Sequence, residues 1–132
     1  RDLKFIEKFK PDMCGIGPFI PHKDTDFCTH TAGSVDLTCI LISLIRLIHP
    51  PILLPATTAL ATLSENGREK GILSGANVVM PNLSPMNVRS KYLLYDNKIA
   101  VGTESAQQKE MLEKSLRRIG YTVVTDIGDI NK

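Results

Sequence analysis

The chain is 132 residues long and 42% apolar, a single-domain length with enough hydrophobic material for a core of its own. Its 16 basic and 14 acidic residues leave a formal charge of +2, and the basic ones are not interleaved with aromatics, so no nucleic-acid partner is expected. Cys14, Cys28 and Cys39 are odd in number, lack CxxC spacing and follow no secretory signal, which together predict a reduced, cytoplasmic setting.

The opening RDLKFIEKFK repeats Leu3, Ile6 and a phenylalanine, Phe5 or Phe9, at helical spacing before Pro11, which predicts a helix. Met13 to Ile16 reads as a short apolar strand. Gly-Pro-Phe-Ile-Pro-His follows as the loop at its exit, because of its two prolines. A polar stretch then leads to Ser34, a good N-cap, with Asp36 placed to complement the dipole of a helix running to about His49 and ended by Pro50-Pro51. Within it, Leu37 to Ile48 is too short to span a bilayer and is interrupted by Ser43 and Arg46, so no membrane segment is expected.

Ile52 to Leu54 is the next strand, and Ala-Thr-Thr-Ala the small polar loop after it. Glu65 to Ser74 predicts a shorter helix stopped by Gly75, and Ala76 to Met80 a third strand. Ser84-Pro85 opens another helix reaching about Tyr95. A turn at Asp96-Asn97 and an apolar piece, Ile99 to Val101, precede a last amphipathic helix from Ser105 to Ile119, capped by Gly120. Met111, Leu112, Leu116 and Ile119 are expected on its inner face, with Glu110 and Lys114 paired on the other. Tyr121 to Thr125 reads as a terminal strand. Repeated helix-then-strand units with continuous rather than alternating strands describe an α/β chain on a parallel sheet buried on both faces.

Ligands of parallel α/β proteins bind where the strands exit. Three exits here carry polar groups: Gly17 to His22, Thr57-Thr58, and Met80-Pro81-Asn82. On a (β/α) barrel these would converge on one mouth. His22 is either a base, a ligand or a hydrogen-bond donor to a nucleotide, or else a structural anchor of its loop. Thr57 and Thr58 offer two hydroxyls and two backbone amides, which suit a carboxylate or other small anion, while threonine is also an ordinary strand-end residue. Gly15, Gly17 and Pro18 permit close approach to a flat ligand without forming a GxGxxG motif. Tyr92 and Tyr95, three apart on a helix, either pack in the core or form a lid over the mouth. Arg68 and Glu69 read as a surface cap and ion pair. His30 and His49 have no partners at metal-ligand spacing, so no metal site is expected.

Four blocks in this order, GIGPFIPHKDT, LPATTAL, NGREKGILSGANVVMPNLSP and YLLYDNKI, closely resemble the C-terminal part of the radical S-adenosylmethionine (SAM) enzymes of the FeFe-hydrogenase maturase type, HydE. The Gly-Arg-Glu and Gly-Ala-Asn elements are more distantly similar to biotin synthase and to the biotin-and-thiamin-synthesis-associated region. The resemblance implies a partial (β/α)8 TIM-type barrel: its last three βα units, with strands at Met13 to Gly17, Ile52 to Leu54 and Ala76 to Met80, plus C-terminal helices. Residues 1–95 would belong to the barrel and 96–132 to an extension covering its end.

By the same resemblance, Phe19, Ile20, Pro21 and His22 would lie along SAM, with Met80, Pro81 and Asn82 beside it. Thr57, Thr58, Tyr92 and Tyr95 would meet a small cysteine-derived or iron-complex substrate. The family's chemistry begins at a CxxxCxxC loop whose thiolates hold a 4Fe-4S cluster, and one electron then cleaves SAM. None of the three cysteines has that spacing. The cluster ligands are therefore expected outside this stretch, with no catalytic residue inside it and no activity from it alone.

A full barrel needs about 250 residues, so an open sheet edge is expected to associate with the remaining N-terminal part of the barrel or with itself. Ala100, Gln107, Gln108 and Met111 stand where some relatives carry cysteines for a second cluster, and none is expected here. Asp26 and Cys28 to Thr31 depart from the family pattern. The implied function is assembly of the diiron cofactor of FeFe-hydrogenase. Biotin-synthase-like sulfur insertion is the alternative within the same chemistry, and a non-catalytic barrel piece the alternative outside it.

Overall fold

A computed structural model of the chain describes residues 1–81, 85, 87 and 105–130. Helix α1, Asp2–Phe9, turns Leu3 and Ile6 inward and stacks Phe5 on Phe9 outside, with ring centroids 5.1 Å apart. Lys10 ends it in the left-handed region at φ 51°, donating its amide to the Ile6 carbonyl, and Pro11 prevents continuation. Helix α2, Val35–Ile48, starts where expected: the Ser34 hydroxyl accepts from the Leu37 amide at 3.1 Å. It buries Thr38, Ile42 and Ile45 and ends at His49, just ahead of Pro50-Pro51. The Thr38 hydroxyl donates to the Ser34 carbonyl at 2.8 Å, which satisfies the one buried polar side chain of this face.

The predicted strands are corrected to extended segments, each held by a single bridge. Met13 pairs with Leu53 and Pro55 with Val78, both in parallel, and no longer ladder forms among the described residues. Proline is the physical reason: Pro11, Pro50, Pro51, Pro55 and Pro81 bound these segments and cannot donate to a ladder. What remains is parallel alignment. Cys14 donates to Leu53, Leu53 to Asp12, and Ala56 to Val78, at 2.9 to 3.0 Å. The middle segment is the best buried, with Ile52 and Leu54 at zero exposure.

Helix α3, Thr58–Leu63, begins inside the Ala-Thr-Thr-Ala stretch expected to be a polar loop, and its six residues are too few to reveal it by periodicity. Helix α4, Gly67–Leu73, is shorter than the predicted Glu65 to Ser74, and it crosses α3 at Gly67. A Cβ at Gly67 would collide with the Leu60 carbonyl oxygen, so the crossing requires glycine. Helix α5, Ser105–Arg118, buries Leu112 and Leu116, one turn apart. Met111, expected beside them, is 65% exposed because it lies a quarter-turn off that stripe. The expected strand from Tyr121 to Thr125 forms no bridge to another segment among the described residues and leaves Val124 exposed. The predicted helix ending near Tyr95 and the piece from Ile99 to Val101 lie outside the described residues.

The core joins the five helices of the described residues and the extended segments: Ile6 from α1, Ile42 and Ile45 from α2, Ile52 and Leu54, Leu60 from α3, Ile72 from α4, and Leu112 and Leu116 from α5. Among the described residues, no helix is long and apolar enough to cross a membrane.

Candidate functional site

The two bridges fix where the exits lie relative to one another. In parallel strands equal steps keep residues level, so four residues beyond the Met13–Leu53 bridge come Gly17 and Thr57. Two residues beyond the Pro55–Val78 bridge come Thr57 and Met80. All three exits therefore open at one end of the segments, with Thr57 in the middle.

Thr57 occupies the N-cap position of α3 in extended geometry, at φ −69° and ψ 156°, but its hydroxyl makes no capping bond. Instead Oγ1 is buried without a hydrogen-bond partner, and a Cβ built on Gly17 would stand 2.7 Å from it. A buried hydroxyl left unpaired costs about 1–3 kcal/mol. Thr58, half-buried, opens α3, and its carbonyl accepts from the Thr62 hydroxyl at 3.0 Å.

The Gly17 to His22 loop folds back on Gly33, whose amide donates to the Phe19 carbonyl at 2.8 Å. Phe19 is 47% exposed and meets Phe27 edge-on at 6.2 Å, and Phe27 meets His30 at 5.2 Å. Ile20 and Pro21 are half-buried. His22 Nδ1 accepts from the Asp24 amide at 3.1 Å, which leaves the imidazole hydrogen on Nε2. Its carbonyl accepts from both the Thr25 hydroxyl and the Thr25 amide. These bonds make His22 the head of a turn. Met80 is 57% exposed and Pro81 half-buried, whereas Asn82, Tyr92 and Tyr95 lie outside the described residues.

Two residues that sequence reading passed over hold this arrangement. Arg46 is the first: Nε donates to the Gly75 carbonyl at 2.9 Å, and Nη1 donates to the Ile52 carbonyl at 2.7 Å and to that of Pro50. Nη2 is buried without a partner, and burial pushes the guanidinium below its ordinary pKa. The signal was present, since an arginine inside a run as apolar as Leu37 to Ile48 needs a reason. Asn77 is the second. Its side-chain oxygen accepts from the Leu54 amide at 2.8 Å while its own amide donates to the Leu54 carbonyl at 2.9 Å. One asparagine thus supplies both halves of a pairing and sets the third segment's register.

Cys14 and Cys39 are half-buried and Cys28 is exposed, all as free thiols. Among the described residues, no group of three or more His, Cys, Asp or Glu side chains could hold a metal ion.

No family model matches the chain. It is similar to the FeFe hydrogenase maturase subunit HydE of Thermotoga maritima, with 45% identity over 100 residues. That match covers 76% of this chain and 29% of the relative, so the chain spans less than a third of the relative's length.

Proposed function

The chain belongs with the HydE-type FeFe-hydrogenase maturases over 100 of its residues, and from that premise we propose that it forms one wall of a radical SAM active site. In this reading, residues 1–95 supply the last three βα units of a (β/α)8 barrel and 96–132 cover its end. The rest of the barrel is its partner, and the assembled protein works in the cytoplasm on the diiron cofactor of FeFe-hydrogenase.

The observation that carries the proposal is the buried, unpartnered Thr57 hydroxyl at the shared exit. It can donate to a carboxylate of a small cysteine-derived or iron-complex substrate, and Thr58 stands next to it. Gly17 packs against that hydroxyl, where a side chain would not fit. In this reading Phe19, Ile20, Pro21 and His22 bind SAM together with Met80, Pro81 and Asn82, while Tyr92 and Tyr95 bind the substrate with Thr57 and Thr58. When bound, SAM and a 4Fe-4S cluster supply the one-electron cleavage that begins the chemistry. No cysteine here has the spacing to ligate the cluster, so this chain's task is to bind and orient, and it does not turn over alone.

The test is a chimera: Thermotoga maritima HydE with its matched segment replaced by the 100 aligned residues of this chain. Reconstituted anaerobically with iron and sulfide and given SAM and dithionite, the chimera should release 5′-deoxyadenosine, and the isolated chain should not. A folded, cluster-loaded chimera that gives no 5′-deoxyadenosine would sink the proposal.

A second reading has its own support, because Met13 on the first segment and Leu37, Ile40, Leu44 and Leu47 on α2 are exposed. By itself the chain then self-associates through apolar surface. Size-exclusion chromatography that returns a monomer at high concentration would count against it.

A further inference from the structure

We propose that the groove between α4 and α5 is a second binding site, made for a short peptide whose free ammonium and carboxylate termini meet its two oppositely charged walls. The groove is open to solvent along one side and offers about 910 Å³, room enough for a short peptide. Glu65, just ahead of α4, and Glu69 in its first turn form one wall. Met111, Lys114, Ser115 and Arg118 form the other, at the i, i+3, i+4, i+7 spacing of a single helical stripe. Burial of the neighbouring stripe, Leu112 and Leu116, sets which way these side chains face.

Acids and bases that share a groove ordinarily neutralise one another directly. Here none of Glu65, Glu69, Lys114 and Arg118 takes part in an ion pair among the described residues. The expected Glu110–Lys114 pair is absent too. Elsewhere on α5 the charges do pair, for Lys109 and Arg117 each reach Glu113 at 3.9 Å. The groove thus holds two acids apart from two bases. A ligand of one sign is drawn to one wall and repelled by the other, whereas a dipolar ion is drawn to both. The exposed Met111 side chain adds apolar surface for the middle of such a ligand. None of these residues belongs to the exits around Thr57, so the inference stands independently of the radical SAM reading.

The test titrates the isotopically labelled chain, followed by amide NMR shifts at low salt, with tetra-alanine bearing free termini and with the same peptide acetylated and amidated. The free peptide should give saturable shifts confined to residues 64–69 and 111–118, with binding at least about tenfold weaker once its termini are blocked. Glu69→Gln and Arg118→Gln should each weaken it several-fold while leaving the rest of the spectrum unchanged. Raising the salt on the unaltered chain should weaken it likewise, which serves if either variant fails to fold. Equal response to both peptides, no saturable shift at millimolar peptide, or binding indifferent to salt would overturn the proposal.

Discussion

The Thr57 hydroxyl lies against Gly17, so closely that a Cβ on the glycine would stand 2.7 Å from Oγ1. Forty residues of chain separate the two, and parallel bridging at Met13–Leu53 makes them level. Alanine at position 17 must therefore push the threonine side chain out of its rotamer. Gly17→Ala should lower stability by about 1–2 kcal/mol. In the Thr57→Ala background it should cost much less, and a double-mutant cycle by urea unfolding should give a coupling of about 1 kcal/mol. Additive effects would mean the two residues do not touch.

Thr57→Val separates stability from function. Valine keeps the branched shape and removes an oxygen that is buried without a partner, so stability should hold or rise by up to about 1 kcal/mol. In the HydE chimera the same change should raise the substrate's KM about tenfold, the loss of one hydrogen bond to a charged group. Thermal unfolding and the kinetic assay check the two halves separately. A large loss of stability would show that the hydroxyl has a structural partner.

Arg46 should be the most damaging single position on α2. Its guanidinium joins the Gly75, Ile52 and Pro50 carbonyls, which belong to two separate parts of the chain. Arg46→Met leaves those acceptors unpaired and should cost about 3 kcal/mol or more. Arg46→Lys should recover only part of this, because an ammonium lacks the planar fork that reaches all three. Denaturant midpoints for the two variants decide it, and a lysine variant as stable as the parent would refute the clasp.

Local chemistry made several elements readable in advance. Ser34 caps α2 and Pro50-Pro51 ends it because capping and proline sterics act within a few residues. The polar exits at His22, Thr57 and Met80 were legible for the same reason, as was the likeness to HydE carried by contiguous blocks. Contacts distant in sequence decided the rest. The level placement of Gly17, Thr57 and Met80 depends on two bridges, one of them between residues 40 apart. Helix α3 is too short to show a period, and it persists because Leu60 is buried beneath α4. Met111 faces out although it shares its helix's apolar character, since packing chose the Leu112–Leu116 stripe. Arg46 read from sequence as an interruption, and only folding brought it the carbonyls that a buried guanidinium requires. The sequence by itself determined which groups stand at the exits and where α2 starts and stops; the tertiary structure decided which of those groups meet, because that depends on register and burial between residues far apart in the chain.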